Sequence, residues 1–174
     1  MAPPRIVKSK DAATQGFLKL ALYGKAGSGK TLTSLLIAEG LGGPILYIDT
    51  EDGTTFYRRT VPERAVHPGA FDFDLLLTKS FSEVIEAMEE VGKDYKIVVI
   101  DSVTHLWEAA QNAYQGPRTS KGSIPIQAWG TIKKPWKRMV NLGMDGAFHF
   151  ILWGREGVLM EENDQGERAG VGAK

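Results

Sequence analysis

Short apolar runs recur along the chain and predict buried strands. Four of them cover residues 17–23, 45–49, 95–101 and 147–153, and a fifth covers residues 73–78. Their apolar residues largely follow one another without polar alternation, which is typical of parallel strands that are covered on both faces. The pattern therefore predicts a sheet made mostly of parallel strands.

Segments with helical patterning lie between these runs. Residues 83–91 have apolar side chains at the spacing of one helix face, with Ser82 as the expected N-cap and Gly92 as the expected end. Further helices are predicted for residues 32–39, 103–114 and 132–142, and a hairpin for residues 158–174. This alternation predicts an α/β fold with a central, mostly parallel sheet and helices on both faces.

Length and composition fit one globular domain. The chain has 174 residues, of which 43% are hydrophobic and 24% charged. Residues 1–14 show no sustained period and are interpreted as an N-terminal tail, so the predicted core covers residues 15–174. The 21 basic residues balance the 21 acidic ones. Any contact with nucleic acid must therefore come from local segments rather than from an overall positive field.

The sequence lacks the usual marks of secretion. It contains no cysteine, which excludes a disulfide scaffold and cysteine–zinc sites. No apolar stretch has the length of a signal-peptide core at the start of the chain or the length needed to cross a bilayer. We expect a cytoplasmic protein without a membrane partner.

A glycine-rich segment with the spacing G-x-x-x-x-G-K-T joins a predicted strand to a predicted helix. Backbone N–H groups in such a turn, together with the positive end of the helix, converge on phosphate oxygens. Lys30 is predicted to reach the β and γ phosphates, and the hydroxyl of Thr31 to bind Mg²⁺. The predicted nucleotide-binding residues of this phosphate loop are Gly24, Lys25, Ala26, Gly27, Ser28, Gly29, Lys30 and Thr31.

Two of the predicted strands lead into acidic residues. Glu51 closely follows the run at 45–49, and Asp101 ends the run at 95–101. Ligands of open α/β sheets gather at the carboxyl ends of the strands. Asp101 therefore suits the acid that holds Mg²⁺, directly or through water, and Glu51 suits the base that orients an attacking water. A role for Asp101 as a helix N-cap or turn former is the alternative.

The phosphate loop, the segment IDTE at 48–51 and the segment VIDSV at 99–103 together resemble the RecA/RadA family of ATPases. The resemblance runs from about residue 17 to the end of the chain. Within it, the short chain is similar to phage-type RecA-like ATPases of single-strand annealing and recombination. The family's core continues into at least one more strand, so this core is expected to be incomplete at its C-terminus.

The resemblance also implies an activity and partners. It implies ATP hydrolysis with Mg²⁺, in which Glu51 and Lys30 are catalytic. It further implies a homo-oligomer, either a ring or a filament, that acts on single-stranded DNA. A phage single-strand DNA-binding protein is a further possible partner, and the location would be the host cytoplasm if the protein is phage-encoded.

The family holds adenine near the segment that corresponds to residues 52–59, which makes Tyr57 and Arg58 candidates for stacking on the base. Packing of Phe56 and Tyr57 under a surface turn is an equally open interpretation. At the end of the strand predicted for 147–153 the family has a polar sensor, commonly Gln or Asn. Arg155 occupies the comparable place here and is the candidate sensor.

Residues 115–131 correspond to the family's first DNA-contacting loop. This segment is rich in Gly, Pro and Ser, and its candidate DNA contacts are Arg118, Lys121 and Trp129. Lys133 and Lys134 follow on the helix predicted for 132–142 and extend the candidate surface. A plain surface loop and a solvated helix face are the alternatives. The hairpin at 158–174 would correspond to the second DNA loop, although its first arm is acidic.

Three other functions fit parts of the pattern. A helicase or motor of the same fold would need a translocation path, and usually further domains. A nucleotide-switched DNA-binding or loader protein would have no need of a water-orienting carboxylate such as Glu51. A small-molecule kinase would need an acceptor pocket and a lid.

Overall fold

The computed structural model describes residues 16–58, 71–90, 94–114, 124, 126–156, 158–162 and 168–173, the last two segments by their backbone alone. Five strands form one parallel sheet in the order β1-β5-β4-β2-β3. They are β1 (Lys19–Gly24), β2 (Ile45–Asp49), β3 (Asp74–Leu77), β4 (Ile97–Asp101) and β5 (His149–Arg155). The predicted mostly parallel sheet is confirmed.

Helices cover both faces of this sheet, as predicted. They are α1 (Lys30–Leu41), α2 (Phe81–Glu90), α3 (Val103–Tyr114) and α4 (Trp129–Asp145). Residues of α1 pack into one core cluster on one face, whereas residues of α2, α3 and α4 pack into a second cluster on the other. The predicted hairpin at the end of the chain is present as the antiparallel pair β6 (Val158–Glu162) and β7 (Arg168–Ala173).

The central strands explain why the apolar runs show no alternation. In β4, Ile97 and Val99 belong to the cluster on the α1 face, while Val98 and Ile100 belong to the opposite cluster, and all four are fully buried. A strand covered on both faces has no solvent side, so every position favours an apolar residue. The polar residue Asp101 is the last residue of this strand and lies at the carboxyl end of the sheet, where ligands of open α/β sheets bind.

Three helices have other bounds than predicted, since α1 is longer at both ends, α4 is longer at both ends and α2 begins earlier. α2 begins at Phe81, so Ser82 lies inside the helix instead of capping it, and the backbone N–H of Val84 bonds to the carbonyl of Ser80. The predicted end at Gly92 lies outside the described residues. α4 begins at Trp129, three residues before the predicted start at 132, so Trp129 is the first residue of a helix and not part of a loop.

The ammonium group of Lys19 joins edge strand β1 to the end of α4. Its Nζ donates to the carbonyl oxygens of Gly143 at 2.7 Å, Gly146 at 2.7 Å and Phe148 at 2.8 Å. The last carbonyls of a helix lack partners within the helix, and a cation at this end also opposes the helix dipole. Lys19 therefore stabilises the turn from α4 into β5.

None of the helices in the described part of the chain is long and apolar enough to cross a bilayer.

Candidate active site

A cavity of about 240 Å³ lies at the carboxyl ends of the parallel strands. It brings together the predicted phosphate loop, both predicted carboxylates and the predicted sensor, although these residues are far apart in the chain. Its lining residues are Ala26, Gly27, Gly29, Lys30, Thr31, Glu51, Gly53, Phe56, Tyr57, Asp101 and Arg155.

The phosphate loop connects β1 to α1 through two left-handed glycines. Gly27 has φ of 76° and Gly29 has φ of 82°, a region that residues with a Cβ rarely adopt. Gly29 is the N-cap of α1, and no side chain caps that helix end. The Nζ of Lys30 donates to the carbonyl of Lys25 at 2.9 Å, so its ammonium lies against the loop. The loop thus combines a positive helix end with a lysine, which is the chemistry of an anion site.

Asp101 is held by neutral hydroxyl groups. Its Oδ2 accepts hydrogen bonds from Thr31 Oγ1 at 2.6 Å and from the Tyr47 hydroxyl at 2.9 Å. Burial raises the pKa of Asp101 above its usual range; the two hydrogen bonds oppose this rise, and the charges of Glu51 and Asp49 add to it. Burial likewise raises the pKa of Tyr47, so the hydroxyl remains a donor. Asp101 therefore carries a negative charge that burial and its acidic neighbours disfavour.

The Thr31 and Asp101 oxygens form a donor set that suits Mg²⁺. A hydroxyl and a carboxylate are hard oxygen ligands, and Mg²⁺ in phosphate sites takes one or two such groups from the protein. The two side chains already touch through the 2.6 Å hydrogen bond. The residues present therefore fit the ion, with Thr31 and Asp101 as the groups that would hold it.

The first acid of the IDTE segment shapes the backbone. Asp49 Oδ1 accepts the backbone N–H of Glu51 at 2.8 Å, and its Oδ2 accepts the backbone N–H and the hydroxyl of Thr54 at 2.9 and 2.6 Å. These bonds fold the chain sharply after β2 and begin a 3₁₀ turn at Gly53–Tyr57. Asp49 thereby aims Glu51 into the cavity while its own carboxylate stays buried.

Glu51 is surrounded by donors from the other side of the cavity. Its Oε1 accepts the Ser102 hydroxyl at 2.8 Å and Arg155 Nε at 2.8 Å, and lies 2.9 Å from His105 Nε2. Its Oε2 bonds to the terminal nitrogen of Arg155. Burial alone would raise the pKa of Glu51, but the bonds from Arg155 and Ser102 and the charges of Arg155 and His105 together hold that pKa below its usual range.

The first turn of α3 supplies partners that sequence reasoning missed. His105, which is not among the predicted site residues, contacts Glu51. Thr104 Oγ1 accepts the backbone N–H of Arg155 at 2.8 Å. The available signal was position, because Ser102, Thr104 and His105 directly follow Asp101 at the end of a strand.

The two predicted adenine contacts have different surroundings. Tyr57 lines the cavity and lies edge-on to Phe71, with ring centroids 6.1 Å apart. The guanidinium of Arg58 bonds instead to Asp52 at 2.6 Å and to Thr54 at 2.9 Å, and Arg58 is not among the lining residues. Phe56, for which only packing under a turn was considered, instead is 71% exposed and lines the cavity. The 3₁₀ turn explains this difference, because neighbouring residues of a turn point in different directions.

The candidate DNA contacts fall into two groups. Arg118 and Lys121 lie outside the described residues. Trp129 is stacked on Trp107, with ring centroids 6.1 Å apart and planes at 28°, and Lys133 Nζ lies 5.8 Å from the centroid of Trp129. Lys134 is exposed on the same helix.

Comparisons with known proteins identify a family for this chain. A search of the curated proteins found no match. Among solved structures, a crystal structure of the RadB recombinase is similar to this chain, with 19% sequence identity and a TM-score of 0.47. The alignment covers 86% of this chain and 66% of the RadB chain, so this chain spans less than two thirds of the RadB chain. A family model described as an AAA domain matches residues 17–169, which include the phosphate loop, Glu51, Asp101 and Arg155. Because this match covers most of the sequence, the chain belongs to the AAA domain family of phosphate-loop ATPases.

Proposed function

We propose that this protein hydrolyses ATP with Mg²⁺ and couples hydrolysis to single-stranded DNA during recombination or annealing. The observation that carries the proposal is the position of Glu51. Its carboxylate shares a cavity with Lys30, Thr31 and Asp101, but its described partners are Ser102, His105 and Arg155. A second carboxylate beside a phosphate site, separate from the oxygen pair suited to the metal, is what water activation requires.

Each residue has a distinct part in this proposal. The loop N–H groups and Lys30 bind the phosphates, and Thr31 and Asp101 hold Mg²⁺, which when bound neutralises phosphate charge. Glu51 orients the attacking water. A carboxylate whose pKa is held low by Arg155 is a weak base, so the guanidinium must move away before Glu51 can do so.

Arg155 suits the role of sensor because it could bond either to the carboxylate of Glu51 or to a γ phosphate in the same cavity. Its guanidinium bonds to Glu51, and its side chain is 39% exposed, so it can turn toward another partner in the same cavity. A γ phosphate carries more charge than a carboxylate and accepts the planar guanidinium equally well. Binding of ATP would then release Glu51 by offering Arg155 a stronger anion.

The partner and the biological setting follow from the resemblance to phage-type RecA-like ATPases. Local chemistry supports the DNA part, because Trp129 and Lys133 place an aromatic ring and a cation together at the start of α4. This combination is common where proteins bind single strands. We further propose a homo-oligomer, either ring or filament, that works with a phage single-strand DNA-binding protein in the host cytoplasm.

The test measures ATP hydrolysis by the purified protein with and without single-stranded DNA. We expect stimulation by DNA, loss of turnover by at least about a hundredfold in Glu51→Gln with nucleotide binding retained, and loss of binding in Lys30→Ala. Glu89→Gln is the matched control, because it makes the same chemical change in a glutamate that bonds to Arg138. Turnover that ignores DNA and survives Glu51→Gln would exclude the proposed mechanism.

A nucleotide-switched DNA-binding or loader protein is the second candidate. The observation that favours it is the bond between Arg155 and Glu51, because a carboxylate kept in that bond would not activate water. A switch would bind DNA differently with ATP and with ADP, and its turnover would be as slow in the wild type as in Glu51→Gln. A wild-type turnover no faster than that of Glu51→Gln, together with different DNA affinities in the two nucleotide states, would favour the switch.

A further inference from the structure

A second cavity, of about 530 Å³, lies between α3 and α4 and is separate from the cavity that contains Glu51 and Asp101. Its volume is within the range of sites that hold small organic groups. It is lined by Val103, Thr104, Trp107, Lys133, Trp136 and Lys137. We call it the α3–α4 cavity.

Two tryptophans and two lysines are among the six lining residues of this cavity. The rings of Trp107 and Trp136 have centroids 5.7 Å apart and planes at 69°, an edge-to-face arrangement. Lys133 and Lys137 are four residues apart in α4, so both project from one face of that helix. No acidic residue is among the lining residues. The cavity therefore suits a ligand that is both aromatic and anionic.

We propose that the α3–α4 cavity binds one nucleotide of single-stranded DNA, with the base against Trp107 and Trp136 and the flanking phosphates at Lys133 and Lys137. Base stacking on aromatic rings beside cations is the usual chemistry of single-strand binding. This inference rests on the proposed function, because it presumes that the protein binds DNA. It adds Trp107, Trp136 and Lys137 to the interface and leaves Lys134 outside it.

Charge favours a DNA strand over a free nucleoside triphosphate in this cavity. A nucleotide within a strand is flanked by two singly charged phosphates, which match two lysines. A triphosphate concentrates its charge at one end and is better served by converging backbone N–H groups and a lysine, as at the phosphate loop. The two cavities thus differ in the anion that each one suits.

The α3–α4 cavity also adjoins the candidate active site. Thr104 lines the cavity and accepts the backbone N–H of Arg155, while the next residue, His105, contacts Glu51. A base in this cavity would therefore touch the same helical turn that holds the proposed water-orienting carboxylate and its arginine.

The first test compares DNA affinities of full-length variants by fluorescence anisotropy, with a labelled oligo(dT) about 20 nucleotides long. The double variant Lys133→Ala/Lys137→Ala should bind at least about tenfold more weakly than the wild type, and Lys134→Ala less than about threefold more weakly. Lys133→Ala and Lys137→Ala are also measured singly, because Lys134→Ala removes one charge from the same helix outside the cavity and should weaken binding less than either of them. Free dTMP, which lacks the triphosphate that suits the phosphate loop, serves as competitor and should not displace the oligonucleotide.

The second test needs no variant and is therefore independent of folding defects. Oligo(dT) carrying one 5-iododeoxyuridine is photocrosslinked to the wild-type protein, and the adduct is located by mass spectrometry. We expect it at Trp107 or Trp136. An adduct confined to other segments would mean that another part of the chain or a second copy covers the cavity, and it would overturn the proposal.

The outcomes separate this inference from the proposed function. If the wild type binds oligo(dT) but Lys134→Ala weakens binding as much as the double variant does, DNA binding stands and the cavity assignment is wrong. Displacement by dTMP would show a free-nucleotide site and would also overturn it. If the wild type binds no single-stranded DNA, both the inference and the DNA part of the proposed function fail.

Discussion

The regions around Asp101 and Glu51 lie in one cavity but stabilise their carboxylates by different chemistry. Asp101 accepts hydrogen bonds from the hydroxyls of Thr31 and Tyr47, and burial raises its pKa. Glu51 is also partly buried, yet the bonds and charge of Arg155 keep its pKa low. Among the described residues Asp101 has no cationic partner, whereas Glu51 already has one. In the proposed mechanism Asp101 would therefore receive the metal ion, and Glu51 would have to give up its cation before it could activate water.

Asp101→Asn should have the largest effect on activity and none of the usual cost in stability. We expect hydrolysis to fall about a thousandfold or more, because an amide is a poor ligand for Mg²⁺. A carboxyl whose folded-state pKa is raised stabilises the fold below its unfolded pKa of about 3.9 and loses that contribution as pH rises through the folded value. At about pH 7 the charge opposes folding, so the neutral amide should leave Tm unchanged or raise it.

The measurements for Asp101→Asn are ATP turnover and thermal unfolding at about pH 7 without nucleotide or Mg²⁺. Glu51→Gln is the internal comparison, because it breaks an ion pair with Arg155 and should lower Tm. A clear fall in Tm for Asp101→Asn would contradict the view that the buried charge is uncompensated in the free protein.

Arg155→Gln should have the next largest effect, a loss of stability that depends on pH. Because the pKa of Glu51 is lowered in the folded protein, its ionised carboxylate stabilises the fold above the unfolded pKa of about 4.3. This stabilisation is lost as pH falls through the lower pKa of the folded state. We expect Arg155→Gln to lose about 1–2 kcal/mol of unfolding free energy near pH 7. The difference from wild type should shrink as pH falls from the unfolded pKa through the lower folded-state pKa, because Glu51 is then protonated in both proteins.

Urea unfolding at several pH values measures this effect, and Arg58→Gln is the matched control. Arg58 bonds to the exposed carboxylate of Asp52, so its substitution should have a smaller effect. A loss in Arg155→Gln that is the same at all pH values would show that packing of the side chain, rather than its charge on Glu51, is what matters.

Much of the fold and of the phosphate site could be predicted because its signals are local. A strand covered on both faces needs an unbroken apolar run, and β4 has one in residues 97–100. The phosphate loop is likewise encoded within eight consecutive residues, with Gly27 and Gly29 at the positions of positive φ. Residues that end neighbouring parallel strands necessarily meet, which brings Asp101 and Glu51 into one cavity.

The partners of Glu51 could not be predicted because they depend on distant contacts. Arg155 is 104 residues away from Glu51 in the sequence, and their pairing follows from the strand order, which places β5 beside β4. The direction of side chains in the turn after β2 was equally hidden. Arg58 bonds within its own turn, and Phe56 faces the cavity instead. A composition of aromatic and basic residues does not reveal such directions.

Tyr47→Phe tests the hydroxyl groups that hold Asp101. It should lower the free energy of unfolding by about 1–2 kcal/mol. Tyr47 is fully buried, and its hydroxyl bonds to Asp101 and to Ser34 Oγ, each at 2.9 Å. The variant leaves Asp101 with one fewer donor, which should raise the pKa of that carboxyl further.

Urea unfolding measures the effect of Tyr47→Phe, and Tyr23→Phe provides the control. Tyr23 is 76% exposed, so removal of its hydroxyl should change the unfolding free energy by less than about 0.5 kcal/mol. Equal losses in the two variants would mean that the buried hydroxyl contributes nothing specific to Asp101.

Ser102→Ala makes the same kind of change at Glu51 and should have the smallest effect. The Ser102 hydroxyl donates to Glu51 Oε1 at 2.8 Å, and its backbone N–H bonds to Thr50 Oγ1, a contact that alanine retains. Because Arg155 still bonds both carboxylate oxygens, we expect a loss below about 1 kcal/mol and a small upward shift in the pKa of Glu51. Parallel urea unfolding of Ser102→Ala and Tyr47→Phe measures the contrast. A loss at Ser102 as large as that at Tyr47 would show that hydroxyl groups hold both carboxylates, and the release of Glu51 could then not depend on Arg155 alone.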